Sequence, residues 1–427
     1  MKAEIKERIE DINKGIAPKG YKTSKLGIIP EDWDVKHFED VAVINPSKEN
    51  LDENEIVSFI TMSDVSDDAK LIGYQPKLYK EVSNGFTAFK DRDVLVAKIT
   101  PCFENGKGAL VDNLLNKTGF GSTEFHVLRP KKYGDEVYIY YHTITDRFRK
   151  IGEKNMTGTA GQKRISADFV RGFLIPYPRN DIERKKITDI LSTWDKAIEL
   201  KEKLIEQKKE QKKGLMQRLL TGKVRLPGFK GEWKEVRLKQ ILEVRNEKSE
   251  ITGDLELYSL TIEEGVTPKT DRYNREYLVK DDNKQYKITY KDDIVYNPSN
   301  LRFGAIAINK IQKPVLLSPI YEVLFIKDTS KYDVSFIAQL LTSDRQIRIF
   351  STMAEGTLIE RKAVKVDAFL NTAIYIPQDI KEQKAISKII GCYVRGIELL
   401  QQELEALKQQ KKGLMQLLLT GKVRVKC

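Results

Sequence analysis

Two long segments of the chain carry apolar residues at a spacing of alternately four and three positions. In the second segment this spacing connects ten positions, of which nine are apolar, and the same register shifted back by 199 residues gives seven of ten in the first. A seam of this kind predicts a coiled coil. The predicted seam residues are Ile187, Leu191, Trp194, Ile198, Ile205, Leu215 and Leu219 in the first segment, and Ile386, Ile390, Tyr393, Ile397, Leu400, Leu404, Leu407, Leu414 and Leu418 in the second.

The length of the first segment indicates that it packs against a partner helix. No Gly or Pro occurs between Ile182 and Lys213, so a helix can run through without interruption. At about 1.5 Å per residue, residues 187–219 would span roughly 50 Å, which exceeds the width of a small domain. The second segment is the natural partner, and an antiparallel pair would relate two halves of the chain by a pseudo-twofold axis.

A repeated sequence closes each helical segment. KKGLMQRLLTGKVR at 212–225 returns at 411–424 as KKGLMQLLLTGKVR. Further matches at offsets of 196 to 201 residues, such as Trp33 with Trp233 and Asp93 with Asp293, follow the same order in both halves. Short apolar runs and alternating segments between these matches predict strands. The chain is therefore predicted to be a tandem duplication of a mixed α/β body followed by a long helix.

This pattern divides the chain into five segments. The predicted fold class is α+β, with two duplicated α/β domains separated by two long helices that form an antiparallel coiled coil. The predicted segments are an N-terminal helical segment (1–20), the first body (21–178), the first long helix (179–225), the second body (226–378) and the second long helix (379–427).

The composition is typical of a soluble folded protein. The chain is 40% hydrophobic and 32% charged, and no apolar stretch reaches the roughly 20 residues that a membrane-spanning helix requires. The charged N-terminus has no secretory pattern, so we expect a cytoplasmic protein. Three cysteines and three histidines are scattered singly, from which we expect neither a disulfide framework nor a metal site.

The net charge of +12 at pH 7 suits a nucleic-acid partner, because basic side chains release counterions from phosphates. About half of this surplus lies in residues 183–225, with 13 Lys or Arg against 7 Asp or Glu. A solvated helix surface explains that stretch equally well.

Sequence motifs of DNA-modifying enzymes are missing. There is no Gly-rich dinucleotide or adenosyl-cofactor fingerprint and no GxxxxGK[ST] loop for ATP. Residues 45–47 and 297–299 both read Asn-Pro-Ser, which lacks the second proline and the aromatic residue of the adenine methyltransferase tetrapeptide. Three scattered histidines give no basis for a nucleophilic site. The sequence favours binding over catalysis.

Each half contains two loops with side chains suited to DNA contact. One loop interleaves amide, hydroxyl and cationic groups with Pro, Phe and Gly, and the other is basic. The candidates are Lys98, Thr100, Asn105, Lys107, Gln162, Lys163 and Arg164 in the first half, and Asn297, Ser299, Asn300, Arg302, Arg361 and Lys362 in the second. The loops share placement but not side chains. Two surfaces that read different DNA sequences would show this, and ordinary divergence of surface loops explains it nearly as well.

The motifs together resemble the specificity subunit of a type I restriction–modification system. The resemblance covers nearly the whole chain and rests on LGIIPEDW, PGFKGEW, CFENGKGA, GFGSTEFHVLRP, AGQKRIS and the doubled KKGLMQ-LLTGKVR tail. It implies two target-recognition domains that each read one part of a bipartite DNA target. The two helices would fix the unread gap between these parts.

The resemblance also implies partners. Specificity subunits are themselves non-catalytic and dock two methylation subunits, which use S-adenosylmethionine, and restriction subunits, which use ATP and Mg²⁺ to cut DNA. We therefore expect no cofactor and no metal on this chain. STEFH at 122–126 becomes SPIYE at 318–322, so contacts of the first domain cannot be transferred by position to the second.

Two other functions are compatible with parts of the pattern. A stand-alone DNA-binding regulator would bind DNA without enzyme partners, and copurification with a methyltransferase would separate it from a specificity subunit. A self-contained methyltransferase or nuclease would bind its own cofactor and act alone.

Overall fold

The computed structural model describes residues 3–159, 161–251, 255–269, 285–355 and 362–426. The chain forms two compact units, unit 1 (Met1–Lys201 and Glu403–Cys427) and unit 2 (Glu202–Gln402). Each division between the units lies inside a long helix, whereas the predicted segments divided the chain at helix ends. In the part of the chain that the structure describes, no helix is long and apolar enough to span a bilayer.

Unit 1 begins with a short helix and a hairpin. These elements are α1 (Ala3–Asn13), β1 (Tyr21–Ser24) and the antiparallel strand β2 (Gly27–Pro30). Ile12, Tyr21 and Ile28 bury their side chains against one another. The phenol of Tyr21 donates to the carbonyl oxygen of Gly421 (3.0 Å), so the N-terminal segment is fastened to the last turn of the repeated tail.

The body of unit 1 contains two four-stranded sheets and a two-stranded pair. The sheets have the orders β6-β5-β10-β7 and β4-β11-β8-β9, and β12 pairs with β3. The elements are β3 (Trp33–His37), α2 (Phe38–Val41), β4 (Ala42–Ile44), β5 (Ile56–Ile60), β6 (Gln75–Leu78), α3 (Tyr79–Val82), β7 (Thr87–Lys90), β8 (Val94–Ala97), β9 (Gly108–Leu110), β10 (Thr118–Gly121), β11 (Phe125–Pro130), α4 (Glu136–Thr143), α5 (Asp146–Lys154), α6 (Ala167–Gly172), β12 (Leu174–Pro178) and the long helix α7 (Asp181–Leu219).

The body of unit 2 repeats this arrangement, with one added strand in one of its sheets. Its sheets have the orders β14-β22-β19-β20 and β15-β18-β21-β16-β17, and β13 pairs with β23. The elements are β13 (Trp233–Arg237), α8 (Leu238–Ile241), β14 (Leu242–Val244), β15 (Lys248–Ser249), β16 (Leu257–Thr261), β17 (Gly265–Pro268), β18 (Tyr286–Thr289), β19 (Ile294–Tyr296), β20 (Ile306–Ile308), β21 (Val315–Leu317), β22 (Glu322–Ile326), α9 (Val334–Leu341), α10 (Asp344–Thr352), α11 (Val366–Asn371), β23 (Ala373–Pro377) and the long helix α12 (Ile380–Leu418).

The two bodies share an uncommon feature of strand pairing. In each, one strand pair is parallel within an otherwise antiparallel sheet, β5 with β10 in unit 1 and β16 with β21 in unit 2. The strand after the repeated aspartate, Asp93 or Asp293, is also buried in both, and Val94–Ala97 and Ile294–Tyr296 are apolar throughout. The predicted fold class, an α+β protein with two duplicated domains and two long helices, is confirmed.

The ends of the long helices pack in an antiparallel manner within each unit. In unit 1, Ile187 and Leu191 near the start of α7 share a core with Leu418 near the end of α12. In unit 2, Leu219 near the end of α7 shares a core with Ile386 near the start of α12. All the predicted seam residues are buried or half-buried. Each fully buried side chain of this size contributes roughly 1.5–3 kcal/mol.

Each repeated tail packs in the other unit from the body that precedes it in the sequence. The tail after the first body packs in unit 2, and the tail after the second body packs in unit 1. Arg424, at the end of the tail that follows the second body, pairs in unit 1 with Glu183 and lies beside Trp33, whose indole N–H donates to the same carboxylate (3.1 Å). In unit 2, Arg225 and Trp233 bind Glu382 in the same way. Both carboxylates are fully buried and therefore require these donors.

Candidate nucleic-acid interface

In unit 1 the two predicted candidate loops lie side by side. The amide N–H of Thr100 donates to the carbonyl oxygen of Lys163 (2.9 Å), and that of Ile165 donates to the carbonyl oxygen of Lys98 (3.0 Å). Residues 98–107 follow β8 directly, and residues 161–165 precede α6. The fold thus joins two groups of candidates that are 60 residues apart in the sequence into one surface.

The loop 98–107 is held by contacts with the core of unit 1. Phe103 is fully buried and contacts Phe148 edge-on, with ring centroids 5.7 Å apart. The guanidinium of Arg149 donates to the carbonyl oxygens of Phe103 and Gly106, both at 3.0 Å. Burial lowers the pKa of Arg149 to about 10, still above neutral pH. Because the backbone of the loop is fixed at these points, its outward side chains start from defined positions.

Two of the predicted candidates in this loop have hydrogen-bond partners within the protein. The ammonium of Lys107 donates to the carbonyl oxygens of Met62 (3.0 Å) and Val65 (2.8 Å). The hydroxyl of Thr100 donates to the carboxylate of Glu104. Asn105, at the tip of the loop, is exposed. Lys107 therefore supports the loop from inside, while Asn105 is presented to solvent.

The basic candidates of the second loop divide in the same way. Arg164 forms a bidentate ion pair with Glu124, in which Nε and Nη2 donate at 3.0 and 2.9 Å. These hydrogen bonds lower the pKa of the Glu124 carboxyl. Gln162 and Lys163 are exposed beside this pair. The surface therefore offers one paired guanidinium and one exposed ammonium.

His126 connects this surface to the core, although sequence analysis did not select it. Its Nε2 lies 3.0 Å from the carbonyl oxygen of Ile165, which only accepts, so Nε2 carries the proton. Its Nδ1 then accepts from the side-chain amide of Asn45 (3.1 Å). Burial lowers the pKa of His126 and keeps the ring neutral. Its place in the STEFHVL segment, on the strand next to β8, was the available signal.

A cleft of about 340 Å³ opens in this surface, and we call it the Phe86 cleft. Lys98 is its one lining residue among the predicted candidates. Four separate parts of the chain form it, which explains why sequence analysis missed the others. Its lining residues are Asn45, Pro46, Lys48, Phe86, Thr87, Ala88, Lys98, Phe125 and Val127.

In unit 2 a matching backbone hydrogen bond holds the equivalent loop. The amide N–H of Val364 donates to the carbonyl oxygen of Pro298 (2.9 Å), as Ile165 does to Lys98 in unit 1. The side-chain oxygen of Asn297 accepts from the amide N–H of Ser299 (3.0 Å), which closes a tight turn. Asn297 thus has a structural contact.

The remaining candidates of unit 2 lie around this turn. Ser299 and Asn300 are exposed. The guanidinium of Arg302 lies over the ring of Phe303, 4.5 Å from its centroid. Lys362 is half-buried at the start of the segment that reaches Pro298, and Arg361 lies outside the described residues.

The same buried aspartate has different arginine partners in the two units. In unit 1, Asp93 binds Arg129 on β11 (2.8 and 3.0 Å). In unit 2, Asp293 binds Arg245, which follows β14, with both contacts at 2.8 Å. Arg245 occupies the position of Asn45, since both amide N–H groups donate to the equivalent strand. The frame is shared, whereas the side chains on it have diverged.

No group of three or more potential ligands is arranged to hold a metal ion within the described ranges of the chain.

The chain is similar to known proteins over most of its length. The family model described as "Type I restriction modification DNA specificity domain" matches residues 30–209 and 230–409. The EcoEI type I restriction enzyme specificity subunit of Escherichia coli is 36% identical over 183 residues, which cover 42% of this chain and 30% of that protein. The MjaVIII specificity subunit of Methanocaldococcus jannaschii is 28% identical over 436 residues, which cover 93% of this chain and 94% of that protein.

Solved structures share the fold. A chain from a type I R-M system, studied for its complex assembly and conformational transition, matches with a TM-score of 0.60 at 15% identity, covering 92% of this chain and 99% of its own length. The type I restriction–modification S subunit from M. genitalium matches with a TM-score of 0.52 at 15% identity, covering 92% of this chain and 96% of its own length. The segment that matches the E. coli relative spans only about 30% of that protein's length.

Proposed function

Because the chain belongs to the type I restriction–modification DNA specificity domain family, we propose that it reads a bipartite DNA target for such a system. Unit 1 reads one part of the target through the surface around Lys98 and Lys163. Unit 2 reads the other part through the surface around Asn300. The chain performs no chemistry itself, and it works in the cytoplasm.

One observation carries this proposal: an equivalent backbone hydrogen bond holds the loop in each unit, and the side chains at that position differ. The hydrogen bonds from Ile165 to Lys98 and from Val364 to Pro298 are equivalent. The accepting residue is a lysine with a cationic side chain in unit 1 and a proline in unit 2. A fixed frame with variable groups is what two readers of different base sequences require. Exposed Lys and Arg around the frame would bind phosphates and supply a steep dependence on salt.

The repeated tail forms a groove in each unit, and we propose that each groove docks one methylation subunit. The grooves have volumes of about 680 Å³ in unit 1 and 980 Å³ in unit 2. The same residue types line both, namely Lys408, Lys411, Lys412, Met415, Gln416, Leu419, Thr420 and Lys422 in unit 1, and Lys209, Lys212, Lys213, Met216, Gln217, Leu220, Thr221 and Lys223 in unit 2. Two copies of one partner require two copies of one surface.

The opposite wall of each groove is also repeated. Asp146 and Arg147 at the start of α5 line the first groove, and Asp344 and Arg345 at the start of α10 line the second. This repetition supports one kind of partner for both units. Under this proposal, S-adenosylmethionine binds to the methylation subunits, and ATP and Mg²⁺ bind to restriction subunits.

An exchange of domains tests the reading of DNA. Residues 21–178 are replaced by the equivalent segment of a relative with a known target, and methylated adenines are mapped in cells that carry the partner subunits. One half of the target should change and the other should stay. The matched exchange of residues 226–378 should change the other half. If either exchange alters both halves, the two-reader proposal is wrong.

The docking proposal has its own test. Gln416 and Gln217 are exposed in equivalent grooves, so tryptophan at either position would obstruct one groove without removing a buried group. Each single variant, Gln416→Trp or Gln217→Trp, should bind one methylation subunit per chain by native mass spectrometry, and the double variant none. Two bound subunits in both single variants would contradict the docking sites. A protein that binds its DNA target but no methyltransferase would instead be a stand-alone regulator.

A further inference from the structure

We propose that the Phe86 cleft of unit 1 receives the major-groove edge of one thymine, with the ammonium of Lys98 donating to its O4 oxygen. This inference rests on the proposed function, because it names a base that unit 1 would read. A thymine presents a keto oxygen next to a methyl group in the major groove, a pair of features that no other base shares. The cleft offers groups that match both.

Apolar groups form the wall that would face the methyl group. Phe86 is 39% exposed, and its ring is held edge-on against Phe59, with centroids 4.9 Å apart. Ala88, Pro46 and Val127 also line the cleft. An exposed aromatic ring fixed by a second ring offers apolar contact without the entropic cost of ordering it on binding.

Lys98 supplies the hydrogen-bond donor. Its backbone is fixed on both sides, because its N–H donates to the carbonyl oxygen of Glu124 (2.9 Å) and its own carbonyl accepts from Ile165 (3.0 Å). Within the described part of the chain, its ammonium has no bonding partner. Lys48, the other cation of the cleft, is held by the carbonyl oxygen of Ser83 (2.7 Å). Lys98 is therefore the cation that can reach a base.

The cleft has few acceptors for the amino groups of adenine and cytosine. The side-chain oxygen of Asn45 already accepts from the amide N–H of Val127 (3.0 Å), and its nitrogen contacts His126. Among the side chains that line the cleft, the hydroxyl of Thr87 and the second lone pair of the Asn45 oxygen could still accept. The cationic donor of the cleft therefore favours thymine or guanine, the two bases with a keto oxygen in the major groove. Of these two, thymine is favoured by the apolar wall, because it alone has a methyl group there.

Unit 2 has different groups at the equivalent positions. Pro298 replaces Lys98, so the ammonium is missing there. Arg245 replaces Asn45 and is bound to Asp293 and Glu247. Unit 2 must therefore read its part of the target with other groups. The expected preference for thymine belongs to unit 1 alone.

The test uses the full chain in complex with its methylation subunits. The complex selects sequences from randomised duplex DNA, for the unchanged chain and for the variants Phe86→Ala and Lys98→Met. The unchanged chain should select thymine at one position of the half read by unit 1, and each variant should lose that preference by about tenfold. The half read by unit 2 should stay unchanged, which also shows that each variant is folded.

A second measurement identifies the methyl contact. Deoxyuridine, which lacks the C5 methyl group, replaces that thymine in the selected duplex. The affinity of the unchanged chain should fall several-fold, while that of Phe86→Ala should not respond.

The possible failures are distinguishable. A bipartite target that both variants read unchanged, or an affected position that holds adenine, cytosine or guanine, would overturn the thymine cleft and leave the proposed function intact. If the unchanged chain selects no bipartite target, the proposed function and this inference are both wrong.

Discussion

The guanidinium of Arg424 binds both carboxylate oxygens of Glu183, at 2.9 and 2.7 Å, across 241 residues of sequence. Glu183 belongs to the first turn of α7 and is fully buried, while Arg424 follows the end of α12. The last residues of the chain thus complete the core at the beginning of the first long helix. The same contact between Arg225 and Glu382 completes unit 2.

Removal of Arg424 should destabilise unit 1. Arg424→Ala leaves the buried Glu183 carboxylate with the indole N–H of Trp33 as its remaining side-chain donor. Loss of one partner of a buried ion pair costs about 3 kcal/mol. Hydrogen exchange of the strand amides should therefore become faster in β8 of unit 1. Arg225→Ala is the matched control and should accelerate exchange in β19 of unit 2. Equal acceleration in both units by either variant would contradict the division of the core.

Acidification should destabilise unit 1 more than unit 2, because the two buried histidines, His126 and His142, both lie in unit 1. Burial lowers the pKa of His142 to about 3, and burial also lowers the pKa of His126. The unfolded chain, with histidine pKa values near 6.5, therefore takes up protons first as the pH falls. Stability is complete above pH 6.5 and decreases below it, for His142 down to about pH 3, by about 1.4 kcal/mol per pH unit for each histidine.

The variant His142→Phe isolates this effect. It keeps a ring against Tyr138, whose centroid lies 4.7 Å from that of His142, but it cannot be protonated. Urea unfolding at pH 7.0, 6.0 and 5.5 should show a smaller loss of stability for the variant than for the unchanged chain. A loss of the same size in both would mean that His142 is protonated in the folded state.

Substitutions of Lys107 and Asn105 should distinguish a residue that stabilises the loop from a residue that contacts DNA. Lys107→Met removes the donor to Met62 and Val65 and should lower the free energy of unfolding by about 1–3 kcal/mol. Asn105→Ala removes an exposed amide and should leave stability within about 0.5 kcal/mol while it changes DNA binding. Chemical denaturation and DNA titration of both variants measure the two effects. Equal stability of Lys107→Met and the unchanged chain would refute the supporting role.

Lys163 is exposed at the surface of unit 1 and is expected to contact phosphate. Lys163→Ala should reduce the slope of log affinity against log salt by about 0.9, because one fewer counterion is released. Its sequence preference should stay the same, since phosphate contacts carry no base identity. Lys154→Ala, an exposed lysine at the end of α5, is the control. A change of preferred bases in Lys163→Ala would show that Lys163 reads bases instead.

The long helices are expected to set the gap between the two parts of the target. Insertion of four residues after Gln207 lengthens α7 by about 6 Å at 1.5 Å per residue, close to the rise of two base pairs. The gap in the mapped methylation target should grow by one or two base pairs while both recognised parts stay the same. Replacement of residues 207–210 without a change of length is the control. An unchanged gap in the longer protein would disprove the role of the helices as a ruler.

Local patterns were sufficient to predict the secondary and duplicated structure. The seam from Ile386 to Leu418 predicted the long helix, because apolar periodicity depends only on neighbouring residues. The repeated tail and the paired tryptophans Trp33 and Trp233 predicted two similar bodies for the same reason. The sequence also located the loops around Lys98 and Asn297, because Gly, Pro and amide residues interrupt the buried strands there.

The tertiary structure decided which of these groups work together. Local periodicity does not reveal long-range contacts. The sequence by itself therefore did not show that the tail ending at Arg424 packs into the core of unit 1 and not of unit 2. It also did not show that Lys107 points to backbone carbonyls, or that Phe86 and Lys98 line one cleft. Burial and hydrogen bonding depend on segments that meet only in the folded chain. For that reason the sequence determined the elements and their duplication, and the packing determined which side chains face a partner.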